Sequence, residues 1–152
     1  MLLTDLLTPG RIRIPFRAED KASAIRQLVE LFAADAGIPQ PEDVLRAVQE
    51  REAVLSTGVG NGVAIPHGKS AAVPHLGMAV GLLESPVDFE ALDGQPVRLV
   101  FLLVGPEAEA GAHIKALSRI SRLVRHAGVR EKLFAAHDAD DFLAALEEAE
   151  GA

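Results

Sequence analysis

The spacing of apolar residues along the chain predicts both helices and strands. Steps of three and four residues are typical of amphipathic helices, and they cover residues 20–36, 41–53, 111–126, 129–136 and 139–148. Pro41 suits the first turn of its helix, because its missing N–H needs no partner there. Gly37 stands where the first helix would take its C-terminal cap.

Strand patterns lie between these helices. Residues 11–16 alternate in polarity and contain β-branched side chains, whereas 78–83 and 97–104 are short apolar runs bounded by Gly and Pro. Such apolar runs are typical of strands that are covered on both faces. The sequence thus predicts a three-layer α/β domain, with a glycine-rich loop over 56–62 and a turn over 92–94.

Composition and charge exclude several classes of function. The 152 residues contain no linker or repeat, so we expect one domain spanning 1–152. With 22 acidic against 15 basic residues the formal net charge is −7, and there is neither Trp nor Tyr. Nucleic acid is therefore not expected as a partner, because nucleic-acid binders usually combine a basic surface with aromatic stacking platforms.

The chain also lacks features of secreted, membrane-spanning and thiol-dependent proteins. It contains no Cys, which excludes disulfides, thiol nucleophiles, iron–sulfur clusters and Cys-ligated zinc. The amino terminus has Asp5 where a secretory signal would have Lys or Arg. No apolar run approaches the roughly 20 residues that span a bilayer, so we expect a soluble, cytoplasmic protein without stable membrane insertion.

The segment 62–70 ends in Gly68-Lys69-Ser70, which invites comparison with a phosphate-binding P-loop. That motif has four residues between its first Gly and Gly-Lys-Ser, whereas residues 63–67 make five here. Pro66 also lacks the backbone N–H that a phosphate cradle requires. We therefore set the P-loop aside.

The same segment presents His67 as a candidate nucleophile. Pro66 fixes its own φ and keeps Ile65 extended, so the imidazole leaves the backbone in a defined direction. Gly68 has no Cβ, and we expect it to leave room for a bulky group or a protein surface beside the ring. A neutral imidazole is a competent nucleophile near pH 7, and attack on phosphorus would give an N–P bond suited to onward transfer. The alternative is that His67 is only a turn residue or a capping donor.

A second histidine, His113, begins the most periodic helix, on one stripe with Leu117, Ile120 and Val124. A histidine there is either a satisfied core residue or a group aimed into a cleft. A metal site made by His67 and His113 would lack a local third ligand at zinc-type spacing, so no metal is expected. The other histidines are expected at structural or surface positions: His75, His126 and His137.

The opposite side of this helix carries a basic row at helical steps, which consists of Lys115, Arg119, Arg122 and His126. Such a row is usually a solvated face paired with nearby carboxylates. Docking to an acidic partner surface is the alternative.

Several stretches resemble a known family. The run from Arg51 to Lys69, REAVLSTGVGNGVAIPHGK, is similar to the active-site signature of the enzyme IIA component of the fructose/mannitol class in the bacterial phosphoenolpyruvate-dependent phosphotransferase system. The similarity extends over nearly the whole chain. Further matches are PVDF at 86–89, LDGQPV at 92–97, the strand end Gly105-Pro106 and His113.

The resemblance implies a mixed β-sheet flanked by helices on both faces, and a phosphocarrier without cofactor or metal. His67 would accept a phosphoryl group from a histidine-phosphorylated carrier of the HPr type, and Arg51 and His113 would orient and stabilise that group. A planar guanidinium makes bidentate contacts to phosphate, which agrees with this role. Three further residues are candidates for hydroxyl donors or positive charge beside the phosphoryl group: Ser56, Thr57 and Lys69.

Within this family, a regulatory and a transport role remain open. With 152 residues, we expect no fused IIB, membrane or HPr-like domains. The Leu-Leu-Thr-Pro at 6–9 is similar to the nitrogen-regulatory branch, whose members act on potassium transport and sensor proteins. The alternatives are a free-standing sugar-specific component that passes the phosphoryl group to an EIIB, and a non-catalytic binding regulator. We expect a phosphohistidine carrier rather than a stand-alone turnover enzyme.

Overall fold

The computed structural model describes residues 1–151 and consists of a mixed six-stranded sheet between two layers of helices. The strands are β1 (Ile12–Phe16), β2 (Gly58–Gly60), β3 (Val63–Ala64), β4 (His67–Lys69), β5 (Gly77–Val87) and β6 (Val97–Gly105). The helices are α1 (Lys21–Ala36), α2 (Pro41–Val54), α3 (Ala110–Val124), α4 (Ala127–Phe134) and α5 (Ala139–Gly151). Short 3-10 helices cover Leu3–Leu6, Pro9–Arg11 and Glu107–Glu109.

The sheet is organised around β6. Its strand order is β1-β5-β6-β3-β2, in which β5 is antiparallel to β6 and β1 is parallel to β5. Both β3 and β4 run parallel to β6, β3 opposite Leu99 and Val100 and β4 opposite residues 103–105. One long strand therefore supports two short ones, which are separated by Ile65 and Pro66.

Alternate side chains of β6 enter two different cores. Val100, Leu102 and Val104 belong to a buried cluster with residues of α1 and α2. Leu99, Phe101 and Leu103 belong to a second cluster with residues of α3 and α5. Because both faces of the strand are covered, its sequence is continuously apolar, and the predicted three-layer architecture with a mixed sheet is confirmed.

The predicted helices are confirmed, with small differences at their ends. Asp20 caps α1 by accepting a hydrogen bond from the backbone N–H of Ser23 at 2.8 Å, and Gly37 ends the helix in the left-handed conformation with φ 70°. The helix α3 ends at Val124, two residues before the predicted end. Its last carbonyls are satisfied by Arg130, whose Nη1 donates to Val124 O at 2.7 Å.

The prediction of a plain loop over 56–62 is wrong in part, because β2 lies within it, and the following segment contains β3 and β4. Strands of two or three residues are too short to show a period of two. The pairing with β6, and not a local pattern, makes them strands. No helix within residues 1–151 is both long and apolar enough to cross a membrane.

Gly68 has a different structural role from the one expected. A Cβ at this position would lie 2.9 Å from the backbone N of Val48 and 3.0 Å from the carbonyl carbon of Ala47. The glycine therefore allows α2 to pack against β4, and it does not serve to leave space beside the His67 ring. The close approach fixes β4, and with it His67, against the helix that carries Arg51.

We expect Gly68→Ala to destabilise the fold by about 1–3 kcal/mol, because the added methyl group meets rigid backbone on α2. Gly128→Ala is the matched control, since a Cβ there has no neighbour within 4 Å. That variant should be unchanged or more stable by about 0.5 kcal/mol, as expected for alanine in a helix. Urea unfolding of both variants measures the difference, and equal stabilities would contradict the packing role of Gly68.

Candidate functional site

The strand β6 brings the two candidate histidines together. His67 begins β4 and pairs with Leu103 of β6. Two residues later β6 ends, and the chain passes through Pro106 and the 3-10 turn Glu107–Glu109 into α3, whose first turn contains His113. The two ring centroids are 5.6 Å apart with planes at 64°. The structure thus places the His113 ring beside that of His67, and the shared functional role of the two residues stays a prediction.

A single hydrogen bond determines which nitrogen of His67 is nucleophilic. His67 Nδ1 lies 2.8 Å from the carbonyl oxygen of Ile65, which can only accept. Nδ1 therefore carries the proton in the neutral ring, and the lone pair is on Nε2. The same bond also fits the alternative of a turn residue, because the imidazole donates to the carbonyl group two residues earlier.

Burial keeps His67 neutral. Desolvation is the largest cause that lowers the pKa of His67 below its usual value, and the positive charges of Arg51 and Lys69 act in the same direction. The hydrogen bond to Ile65 and the negative charge of Glu52 oppose them. The net lowering means that the nucleophilic form predominates at neutral pH.

His113 is buried and lacks hydrogen bonds. It is only 2% exposed, and neither ring nitrogen has a partner in the part of the chain that the structure describes. Burial, followed by the neighbouring His67 and Lys69, lowers the pKa of His113 to about 4, so the ring is neutral at pH 7. An unsatisfied buried polar group costs about 1–3 kcal/mol. No described residue makes His113 a satisfied core histidine, which favours the interpretation as a group aimed into a cleft.

Two basic residues near His67, Arg51 on α2 and Lys69 on β4, supply positive charge. Arg51 lies in the last turn of α2, where its Nη1 donates to the carbonyl oxygen of Leu55 at 2.7 Å. A guanidinium has five N–H donors, so this bond leaves others able to contact an anion. Lys69 lies two residues after His67 on β4, is partly exposed, and has its Nζ 3.7 Å from a carboxylate oxygen of Glu107. Both charges lower the pKa of His67, and Lys69 also lowers that of His113.

The two hydroxyl groups proposed as supporting donors are engaged elsewhere. Ser56 Oγ donates to the carbonyl oxygen of Phe89 at 2.6 Å. Thr57 is buried, and its Oγ1 donates to a carboxylate oxygen of Glu52. A hydroxyl has one proton to donate, so in this arrangement neither can donate to a phosphoryl group at His67.

Sequence reasoning missed Glu52. Its carboxylate is buried, accepts hydrogen bonds from the backbone N–H of Thr57 at 2.9 Å and from the Thr57 hydroxyl, and lies 2.8 Å from Lys21 Nζ. A signal for it exists in the sequence. Glu52 follows Leu45 and Val48 on the inward stripe of α2, where a charged residue requires a partner.

The remaining polar residues singled out from sequence lie apart from this centre. Within residues 1–151 no group of three or more His, Cys, Asp or Glu side chains could hold a metal ion. In the basic row of α3, Arg119 Nε is 2.6 Å from buried Glu150, which fits a paired surface. The side chains of the other basic residues in that row and of the three remaining histidines are exposed: Lys115, Arg122, His126, His75 and His137.

Comparisons with known proteins identify the family. The model described as "Phosphoenolpyruvate-dependent sugar phosphotransferase system, EIIA 2" matches residues 5–149. A nitrogen regulatory protein of Bradyrhizobium diazoefficiens is 41% identical over 149 residues, with 96% of this chain and 95% of that protein covered. A fructose-specific EIIABC component of Bacillus subtilis is 35% identical over 140 residues, which are 92% of this chain and 22% of that protein.

A solved structure supports the same conclusion. The nitrogen regulatory protein IIA-Ntr from Neisseria meningitidis is similar with a TM-score of 0.87 at 32% identity, covering 93% of this chain and 97% of that one. The chain therefore belongs to the EIIA 2 family of the phosphoenolpyruvate-dependent sugar phosphotransferase system.

Proposed function

We propose that this protein is a phosphocarrier that accepts a phosphoryl group on His67 Nε2 from a carrier of the HPr type and acts as a nitrogen-regulatory EIIA. The observation that carries the proposal is the pair of neutral histidines. The Nε2 lone pair of His67 is free for attack. The ring centroid of His113 lies 5.6 Å from that of His67, and the ring nitrogens of His113 have no hydrogen-bond partner among the described residues.

The transfer step uses groups that are already in place. The Nε2 lone pair of His67 forms a bond to phosphorus while the N–P bond of the donor phosphohistidine breaks and its electron pair returns to the donor ring. The His67 ring gains positive charge, and its Nδ1–H bond to the Ile65 carbonyl stabilises that charge. Positioning and charge stabilisation are most of what phosphoryl transfer requires.

The local charge favours an anion although the whole chain is acidic. The formal net charge is −7, but Arg51 and Lys69 lie close enough to His67 to influence its pKa. Charges farther away than about 8–10 Å are largely screened at physiological ionic strength. Arg51 and the N–H of His113 would therefore hold the phosphoryl oxygens, and a dianion beside His113 would raise the pKa of that ring.

Exposed apolar residues lie on the same elements and suit a protein donor. Leu55 follows α2, Val59 is on β2, and Leu92 is tied to β2 by its N–H bond to the Gly58 carbonyl at 3.3 Å. Ile114 is next to His113 and is exposed. Apolar side chains around a charged centre are typical of a surface that docks another protein.

The regulatory role is supported by similarity to a regulatory protein, the nitrogen regulatory protein of Bradyrhizobium diazoefficiens, at 41% identity. The fructose-specific EIIABC component is 35% identical. The name of the latter joins A, B and C components, which supports the alternative that this chain passes its phosphoryl group to an EIIB. A non-catalytic binding regulator is the third candidate, and labelling of His67 separates it from both.

We expect wild-type protein, incubated with phosphoenolpyruvate, enzyme I and an HPr-type carrier, to gain one acid-labile and base-stable phosphoryl group. Phosphorus NMR and intact mass measure it. His67→Ala should lose the label completely, because no other ring is placed as a nucleophile, whereas His137→Ala, at an exposed position, should keep it. Label retained by His67→Ala would contradict the assignment.

Arg51→Ala belongs to the same series and should be labelled at His67 about 10- to 100-fold more slowly, since a charge-assisted phosphate contact is lost. Arg51→Lys should lie between it and wild type, because lysine keeps the charge but not the planar fork. Loss of folding in Arg51→Ala would instead assign a structural role to this residue.

The pH dependence of stability should report the buried His113. Its pKa is about 4 in the folded protein and about 6.5 in an unfolded chain. Between these values the unfolded state binds more protons, so the free energy of unfolding should fall as pH falls from 6.5 to 4. His113→Gln should show a shallower fall in urea unfolding at pH 7.5, 6.0 and 5.0, with the remaining slope due in part to His67. An unchanged slope would contradict the burial of a neutral ring.

A deletion strain separates the two biological roles. If the protein is regulatory, deletion should leave fructose and mannitol uptake normal and alter potassium or nitrogen responses, and the His67→Ala gene should not restore the phosphorylation-dependent part. Reduced sugar uptake that is restored by the wild-type gene would instead support the sugar-specific alternative.

A further inference from the structure

A continuous chain of hydrogen bonds leads from Glu52 to the His67 ring. The Glu52 carboxylate accepts from the Thr57 N–H at 2.9 Å and from the Thr57 hydroxyl. The Thr57 carbonyl accepts from the Ile65 N–H at 2.9 Å, and the Ile65 carbonyl accepts from His67 Nδ1 at 2.8 Å. The position of the carboxylate therefore influences the carbonyl group that selects the tautomer of His67.

Lys21 pairs with this carboxylate from a different helix. It is the first residue of α1, and its Nζ lies 2.8 Å from Glu52 Oε2 and donates to the Phe89 carbonyl at 3.2 Å. A second carboxylate, that of Glu90, lies 3.8 Å from Lys21 Nζ, and its side chain is 81% exposed. The side chains of Lys21 and Glu52 are only 19% and 6% exposed, so their charges are poorly screened by water.

The negative charge of Glu52 is unfavourable for a protein that carries a phosphoryl group on His67. Glu52 is close enough to His67 to oppose the lowering of that ring's pKa. A negative charge at this distance also repels a phosphoryl dianion on Nε2. The other charged or titratable groups that act on His67 are Arg51 on α2, Lys69 on β4 and His113 on α3. Lys21 acts through Glu52, whose charge it balances.

We propose that Lys21 and Glu52 are positioning residues that form a charge-neutral anchor for the Thr57–Ile65–His67 chain. Glu52 holds the chain, and Lys21 keeps the anchor from opposing the phosphoryl group. This inference rests on the proposed function of His67. Loss of charge balance between Lys21 and Glu52 should therefore slow the phosphorylation of His67, beyond any loss of folding stability.

The chain contains a matched ion pair for comparison. Glu150 is a buried carboxylate, 1% exposed at its side chain, that accepts from the N–H groups of Leu3 and Thr4 and from Arg119 Nε at 2.6 Å. It resembles Glu52 in accepting from a backbone N–H and pairing with a basic residue of another helix. No hydrogen bond among the described residues connects it to His67, so its loss should affect folding alone.

The test measures the rate of His67 phosphorylation by an HPr-type carrier, and urea unfolding, for five proteins: wild type, Lys21→Met, Glu52→Gln, the double variant Lys21→Met/Glu52→Gln, and Arg119→Met. Lys21→Met leaves Glu52 uncompensated and should be about tenfold slower, as expected for one unscreened charge near the dianion. The double variant should return to within about threefold of wild type, because the neutral amide still accepts from Thr57. Arg119→Met should lose stability and stay within about twofold of wild type in rate.

The double variant distinguishes this role from a structural one. If Lys21 and Glu52 were a purely structural pair, His67 phosphorylation in the double variant would be no faster than in Lys21→Met. That outcome, or equal rates for Lys21→Met and Arg119→Met, overturns the inference. If Lys21→Met does not fold, Glu52→Gln decides, with a rate within about threefold of wild type expected and a tenfold loss contradicting the proposal. If wild type itself is not labelled at His67, the proposed function fails and not only the anchor.

Discussion

The pairing of β4 with β6 is the constraint on which the site depends. Because β4 lies parallel to the end of β6, His67 is placed beside the point at which β6 leads into α3. The same strand thus sets the position of one histidine through its hydrogen bonds and of the other through its connection. Packing of α2 against Gly68 adds the helix that carries Arg51 and Glu52. Four residues from three elements therefore converge: Arg51 and Glu52 from α2, His67 from β4 and His113 from α3.

The sequence predicts those features that have a local physical cause. The start of the first helix near Asp20, its end at Gly37 and the apolar run of β6 are each visible in a few consecutive residues. The short strands β2, β3 and β4 have no such signature, since their pairing partners lie far along the chain. The predicted role of Gly68 is wrong for the same reason, because the backbone of Ala47 that a Cβ would meet belongs to another element.

The candidate site residues likewise divide into those that a local sequence feature indicates and those that only the folded chain shows. His67 is singled out by its neighbour Pro66 and His113 by its position at the start of a periodic helix, and the resemblance to a known family adds Arg51. The sequence does not show where each hydroxyl proton is used, and the engagement of Ser56 with Phe89 and of Thr57 with Glu52 requires the folded chain. Residue type predicts what a side chain is able to donate, whereas only packing determines whether that donor is already occupied.

The unsatisfied nitrogens of His113 give a final argument for a site that is completed by its substrate. A buried ring without partners is unfavourable in the resting protein, and its low pKa means that a proton does not relieve the cost. Arrival of a dianionic phosphoryl group at Nε2 of His67 would supply an acceptor and favour protonation of the same ring. In the proposed phosphocarrier, phosphorylation would thus relieve the unfavourable burial of the unbonded ring and stabilise the phosphorylated form. A carrier benefits from such a balance, because it must accept the group readily and hold it until the next protein docks.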